Sequence, residues 1–402
     1  MHRKRTLALL LVLAALCLVM TACGSPAAAP TPEPTPTPEP TPTPFVEPVL
    51  DKAGPVTFDG TELASGSFSR DGVQYVKLSE AVEALGAELE QTDAVSFRFP
   101  WRKSQVELAA DDSTMRYKDK TLSLAAKPLL CGKGEDLLIP VESFCEGAQI
   151  GLFYDEEFDH LYCTPGAGDW ELPEGHDVAV MMYHGVGHGA PDANLFVNPE
   201  DMEAQIVYML ENGYTPIWFE DLEHVEDYEK PVLLTFDDGW ENTYYYLLPL
   251  MEKYNVKATT FVITGDVDRY PGNKLSLDML KEMNDSGLMS IQSHTVSHIE
   301  LNFLTEEQQR SEYEDSKLYI VRNFGKEPCA LSYPIGASDQ RTQDIASDYY
   351  RFAVKMCGKT PYNTSEDPML IYRFFPEKQT PLFVYAGWLT SCFGPDKGIG
   401  LN

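Results

Sequence analysis

Two adjacent carboxylates and two histidines four residues apart are the groups in this chain best suited to act together. Asp237 and Asp238 end the run Pro231-Val232-Leu233-Leu234-Thr235-Phe236 and are followed by Gly239 and Trp240. Val232–Leu234 is an unbroken apolar run too short for a helix, which suits a strand buried on both faces in a parallel sheet. Binding and catalytic groups of α/β folds gather at the carboxyl ends of such strands. Adjacent strand residues point to opposite sides, but where the strand breaks into a Gly-containing loop both can face one cleft. Carboxylates this close repel, and both stay ionised at neutral pH only if a cation or donors hold them. Asp-Asp-Gly is also an ordinary turn sequence, so the motif alone does not decide.

The histidines tip the balance. Ser293-His294-Thr295-Val296-Ser297-His298 sets two imidazoles at i and i+4. On one helical turn they would face the same way and grip a single ion. They follow the strand-like run Leu288–Ser293, so they come to the same end of the sheet as the two aspartates. Two His and one Asp make a three-ligand set that leaves positions open for water and substrate. Only eight histidines occur in the chain, which favours a metal site over two idle surface residues. His184 closes the strand Val178–Tyr183 and reaches the same rim as a titratable group. On residue type alone a satisfied structural histidine would explain it. His188 and His224 acquire no role, and the lone His160 reads as structural.

The elements that would position these groups alternate from Asp177 onward. Strands are predicted at Val178–Tyr183, Pro216–Phe219, Val232–Phe236, Ala258–Ile263, Leu288–Ser293, Ala330–Tyr333 and Phe352–Lys355. Asn198-Pro199 opens a helix with Met202, Ile206, Met209 and Leu210 on one face and Gly213 as its exit. Further helices are predicted at 241–254 and 277–285. Thr305 and Gln308 form a capping box for one running to Phe324-Gly325. This rhythm predicts an α/β fold, a distorted (β/α) barrel over residues 177–395.

Upstream the chain changes character. Residues 1–22 have a basic start and an apolar stretch, Leu7 to Met20, and end in small residues, which reads as a secretory signal. Cys23 after Met-Thr-Ala resembles a bacterial lipoprotein cleavage box and would carry the lipid. Residues 23–49 are rich in Pro, Thr and Glu, with ten prolines between Pro26 and Pro48. They predict an extended spacer reaching ~70 Å. The expected location is the outer face of the cell membrane or the cell wall, lipid-anchored, with simple secretion through another cleavage site as the alternative. Residues 50–165 form a small α+β module with two similar halves, Asp71–Ala87 and Gly134–Ala148. Each half reads as turn, short strand, two-turn helix and Gly exit. Gly166 to Gly175 is a linker.

Composition excludes some functions. A net charge of −31, with 62 acidic against 31 basic residues, argues against nucleic acid or an anionic surface as partner. Eight cysteines are present, and the six beyond Cys23 show no CxxC metal spacing.

Thr235–Gly239 together with Ser293–His298 resembles the polysaccharide deacetylases of carbohydrate esterase family 4. Leu331-Ser332-Tyr333-Pro334-Ile335-Gly336 is similar to that family's third motif. Met181-Met182-Tyr183-His184 precedes the Asp-Asp motif, whereas the usual family order puts the corresponding histidine near the end. That order resembles the circularly permuted branch, which includes deacetylases of poly-β-1,6-N-acetylglucosamine. The resemblance implies that Asp238, His294 and His298 hold a divalent ion, Zn2+ first among candidates. It implies Asp237 as general base, His184 as general acid and the Tyr333 backbone N–H as an oxyanion donor. The family's third motif usually carries an Arg that orients the catalytic Asp. None stands at Ala330–Ser332, and Arg373 is the residue that could supply it from a later strand. Trp240 and Trp388 are the candidates for the fourth-motif Trp. Residues 50–165 resemble the copper amine oxidase N-terminal-like module, without copper being implied.

The resulting expectation is metal-dependent N-deacetylation of an N-acetylglucosamine-containing glycan at the bacterial surface, with exopolysaccharide ahead of peptidoglycan or chitin. A small-amide amidase on the same barrel and an inactive glycan-binding protein are the alternatives. The anchor and spacer weigh against the first, and the full complement of base, acid and ligands against the second.

Overall fold

The computed structural model describes residues 45–110, 112–164, 172–188, 195–356, 358 and 360–394. The segment expected to be a signal, Cys23 as its expected lipid carrier, the expected spacer up to Pro44, most of the Gly166–Gly175 linker and Cys357 lie outside the described residues. From Phe45 on, the chain is one compact unit.

Eight strands build the barrel: β1 (Asp177–Tyr183), β2 (Thr215–Ile217), β3 (Pro231–Asp237), β4 (Ala258–Val262), β5 (Met289–Ser293), β6 (Ala330–Ser332), β7 (Phe352–Lys355) and β8 (Ile371–Tyr372). They pair in parallel, with β1 on one edge of β3 and both β2 and β4 on the other. From β4 the sheet continues through β5, β6 and β7 to β8. The period of two is visible in what each residue packs against. Val178, Val180 and Leu233 join Phe261, Phe352 and Val354 in the barrel interior. Ala179, Met181, Val232 and Leu234 face an outer layer with Ile206, Met209, Leu280 and Leu389 from the helices. Every residue of β3 is buried, as an apolar run flanked on both faces requires.

The ring closes with little pairing. Phe374, just past β8, makes an isolated parallel bridge to Met181 of β1. Its carbonyl accepts from Met182 at 2.7 Å and its amide donates to Val180 at 2.8 Å. This seam brings the chain segment that follows β8, which begins with Arg373, alongside the end of β1 that precedes His184.

The helices follow their sequence signals closely. The Thr305–Gln308 capping box forms at the start of a helix over Glu306–Phe324, which ends at Gly325 with φ 70°. The helix expected at 241–254 instead opens as a wide turn over Thr243–Leu247 before a regular helix over Leu248–Tyr254. Pro249 has no N–H to return to the preceding turn, so the regular ladder cannot start earlier. Strand β8 is the later strand expected next to Arg373, whereas the helices Gln340–Ser347 and Leu382–Phe393 were not legible in the sequence.

In the upstream module the strand Val73–Lys77 runs into the helix Leu78–Ala84, and Asp136–Pro140 into Val141–Ala148. The two strands pair antiparallel with Val76 opposite Ile139, so the two similar halves meet at their first strands. They share a core that includes Val76, Val82, Phe97, Phe99, Ile139 and Phe144. His160 bonds Thr57 Oγ1 at 2.8 Å and stacks on Tyr162, the structural role expected of it. Arg322, near the end of the capped helix, reaches Asp155 at 2.5 Å and Glu157 at 3.3 Å.

Candidate metal centre and catalytic cleft

Strand β3 delivers both aspartates, and its last turn separates them. Asp237 is still extended, whereas Asp238 adopts φ 71° and Gly239 φ 65°. The reversal sends the two carboxylates to different partners.

Asp238 meets the histidines. Its Oδ1 lies 3.4 Å from His294 Nε2 and 3.5 Å from His298 Nε2. The three ligand atoms all lie within 4.8 Å of one another. His294 Nδ1–H donates to the Ser332 carbonyl at 2.7 Å, which leaves the Nε2 lone pair for an ion. Asp238 Oδ2 accepts from Trp240 Nε1 at 3.0 Å, so Oδ1 is the free oxygen. Burial would raise the Asp238 pKa, but the hydrogen bond and charge of His294 hold it well below the ordinary value. Burial, followed by repulsion from His294, pushes His298 down to about 4. A neutral imidazole and an ionised carboxylate are the forms that ligate. One oxygen and two imidazole nitrogens fit a divalent ion of the zinc type.

The histidines do not sit on a helical turn, contrary to the expectation from their spacing. Residues 294–298 form a loop in which Thr295 and His298 are left-handed, at φ 65° and 56°. The loop is folded by tertiary contacts. Glu312, on the capped helix, accepts from Val296 N at 2.9 Å and Ser297 N at 3.0 Å, and also from the Ser297 hydroxyl. Gly265 lies so close that a Cβ there would stand 2.5 Å from the Val296 carbonyl. Glu312 was not singled out from the sequence, since nothing local marks one acid of a charged helix. Replacing Glu312 by Gln is expected to weaken zinc binding by about 10–100-fold, the usual effect of losing a ligand's support. Titration against a chromophoric chelator reads it, and parental affinity would remove Glu312 from the site.

Asp237 turns instead to Arg373. The guanidinium bonds Oδ1 at 2.8 Å and Oδ2 at 2.7 Å, a two-pronged pair. Ser332 Oγ adds a donor to Oδ2 at 3.1 Å. Arg373 is fully buried and also reaches Thr235 Oγ1 and the Lys355 carbonyl, each at 3.0 Å. Burial would raise Asp237, but the Arg373 charge and hydrogen bonds more than offset it, leaving its pKa below the ordinary 3.8. Three of the four acceptor positions of this carboxylate are thus filled, and one remains on Oδ1.

His184 follows β1 and is 9% exposed, with Nδ1 unpartnered among the described residues. Burial lowers its pKa, against the pull of Asp237 and Asp238 and with repulsion from Arg373 and His294.

Tyr333 is a correction. Its backbone N–H donates to the Val354 carbonyl at 3.1 Å as β6 pairs with β7, so it is not free to meet an oxyanion. The strained point lies two residues on, where Ile335 is left-handed at φ 59° and 57% exposed. A β-branched residue in that region is rare. Of the two candidate tryptophans, Trp240 lies at the ligands, while Trp388 stacks on Phe374 in the outer layer.

Residues 224–351 match the family model described as polysaccharide deacetylase. The match holds Asp237, Asp238, His294 and His298 but stops short of His184 and Arg373. YxkH of Bacillus subtilis, named for the same family, is 35% identical over 174 residues, 42% of this chain and 60% of that protein. Poly-β-1,6-N-acetyl-D-glucosamine N-deacetylase of Staphylococcus aureus is 32% identical over 121 residues, 27% of this chain and 41% of the enzyme. The chain thus spans less than two thirds of these relatives. The Streptococcus pyogenes deacetylase PplD, solved in complex with acetate, is 28% identical with a TM-score of 0.50, over 54% of this chain and 99% of that one. BC0361 of Bacillus cereus, a polysaccharide deacetylase, has the same fold at 23% identity and a TM-score of 0.50, over 73% of this chain and 78% of that one.

Proposed function

We propose that this chain, which carries a polysaccharide deacetylase domain, removes acetyl groups from an N-acetylglucosamine-containing polymer. Exopolysaccharide is preferred over peptidoglycan. Two things support that preference: the named activity of the staphylococcal relatives, and a histidine that precedes the Asp-Asp motif. The observation that carries the proposal is the separation of the two adjacent aspartates, one to a two-histidine cluster and one to a buried arginine.

Asp238, His294 and His298 would hold a divalent ion, with zinc first among candidates. When bound, it supplies a Lewis acid that polarises the acetyl carbonyl and makes water more acidic. Asp237 accepts the water proton at the one open position on Oδ1, and Arg373 keeps that oxygen aimed at the cleft. Its lowered pKa keeps Asp237 ionised at neutral pH and makes it a weak base. His184, in its protonated form, delivers a proton to the departing amine; its lowered pKa makes the imidazolium a stronger acid but the minority form at neutral pH. In the turn Pro334–Gly336, where Pro334 has no N–H and Gly336 N–H donates to Tyr333 O at 2.8 Å, the N–H of Ile335, held at φ 59°, is the candidate donor to the oxyanion in place of Tyr333. The chain would work at the outer face of the membrane, lipid-anchored at Cys23, with residues 50–165 as a spacer or binding module.

The test is acetate release by the whole chain from β-1,6 and β-1,4 N-acetylglucosamine oligomers. Release is expected from the β-1,6 series, abolished by a chelator and restored by zinc. A zinc-loaded chain that releases acetate from neither series would sink the proposal.

A further inference from the structure

Asp238 and Gly239 are successive left-handed residues. A strained conformation at a residue bearing a Cβ persists only where its surroundings over-determine it. Here the surroundings are a strap, residues 270–275, laid along the turn. Trp240 makes an isolated antiparallel bridge to Lys274. Glu241 N donates to Asn273 O and Leu275 N to Gly239 O, each at 2.9 Å.

Lys274 does more than complete the strap. It is 9% exposed, and its Nζ donates to the Asp238 carbonyl at 2.9 Å. The same ammonium lies 4.1 Å from the centre of the Trp240 ring and 3.9 Å from Asp266. Trp240 in turn gives its indole N–H to Asp238 Oδ2 at 3.0 Å. The backbone and the side chain of one ligand are therefore held from two directions by two residues that hold each other.

We infer that Lys274 and Trp240 are positioning residues that set the cation affinity of the site by fixing Asp238 with Oδ1 toward the histidines. This rests on the metal reading above. Lys274 acts on a bound cation in two opposed senses. Its positive charge, little screened by solvent, repels a dication. Its hydrogen bond and its seat on the indole hold the ligand in place. If charge dominated, removing the ammonium would tighten binding. If positioning dominates, removing it loosens binding despite the relief of repulsion.

The experiment uses the whole chain, stripped of metal and titrated with zinc against a chromophoric chelator. Cobalt absorption provides a readout of ligand geometry, and the thermal midpoint of the metal-free protein reports folding. Lys274→Met and Trp240→Phe are each expected to weaken zinc binding by about 10–100-fold and to alter the cobalt spectrum. The double variant is expected to be little weaker than the worse single one, because both act through Asp238. Lys274→Met binding zinc as tightly as the parent, or more tightly, would overturn the inference, as would fully additive losses. Should Lys274→Met lower the metal-free midpoint, Trp240→Phe decides, since it leaves an aromatic ring at this position and the ammonium of Lys274 in place while removing the indole N–H to Asp238. A folded parent chain that takes up no zinc or cobalt would refute the metal reading instead.

Discussion

Alanine in place of Arg373 is expected to destabilise the fold by about 3–5 kcal/mol, the usual effect of stranding one member of a buried ion pair. The reason lies with Asp237, which is 3% exposed and would keep only the Ser332 hydroxyl as a donor. The guanidinium also ties Thr235 and Ser332 to the Lys355 carbonyl, so three strands lose a common partner. Lysine should recover little, because one ammonium cannot reproduce a two-pronged contact. Denaturant unfolding at neutral pH measures the effect, and an unchanged midpoint would count against it. The pH dependence has a definite sign. Asp237 is lower in the folded chain than its ordinary 3.8, so its contribution is present above that value. It is lost as pH falls through the lower folded pKa. The gap between parent and variant should therefore narrow in acid. In whatever fraction folds, acetate release should also fall, since the Ser332 hydroxyl alone, on Oδ2, is left to aim Asp237.

Asn in place of Asp237 is expected to lower kcat by about 10²–10⁴, the range for loss of a general base, while zinc binding persists. The carboxamide keeps the shape but cannot take the proton, and Asp237 is not among the three converging ligands. Asp238→Asn should instead lose the metal along with activity. The contrast between neighbours makes the pair of variants informative. Metal-free melting has to accompany the kinetics, because an amide facing Arg373 gives up the ion pair. Full turnover in a folded Asp237→Asn variant would remove Asp237 from the mechanism.

Much of this site could be read along the chain because the signals are local. Val232–Leu234 announced a buried strand, Asp237 and Asp238 its carboxyl end, and Thr305 with Gln308 the helix that later supplies Glu312. His294 and His298 were identifiable by type and spacing, and the missing motif arginine pointed forward to Arg373. The geometry between these pieces was not local. The four-residue spacing suggested a helical turn, yet Glu312 and Gly265 hold a loop with two left-handed residues. Tyr333 looked free by motif, but its N–H is spent on Val354 once β6 and β7 pair. Nothing near Lys274 in sequence marked it, because its partners Asp238 and Trp240 lie more than thirty residues away. A two-residue strand such as β8 carries too few positions to show a period. The amino-acid order determined which groups were available and at which strand ends they would stand. Parallel pairing of β3 through β4 to β5, and closure through the Phe374–Met181 bridge, decided which of them touch. That closure depends on long-range strand pairing, where each partner is selected by a surface distant in the chain rather than by its own neighbours.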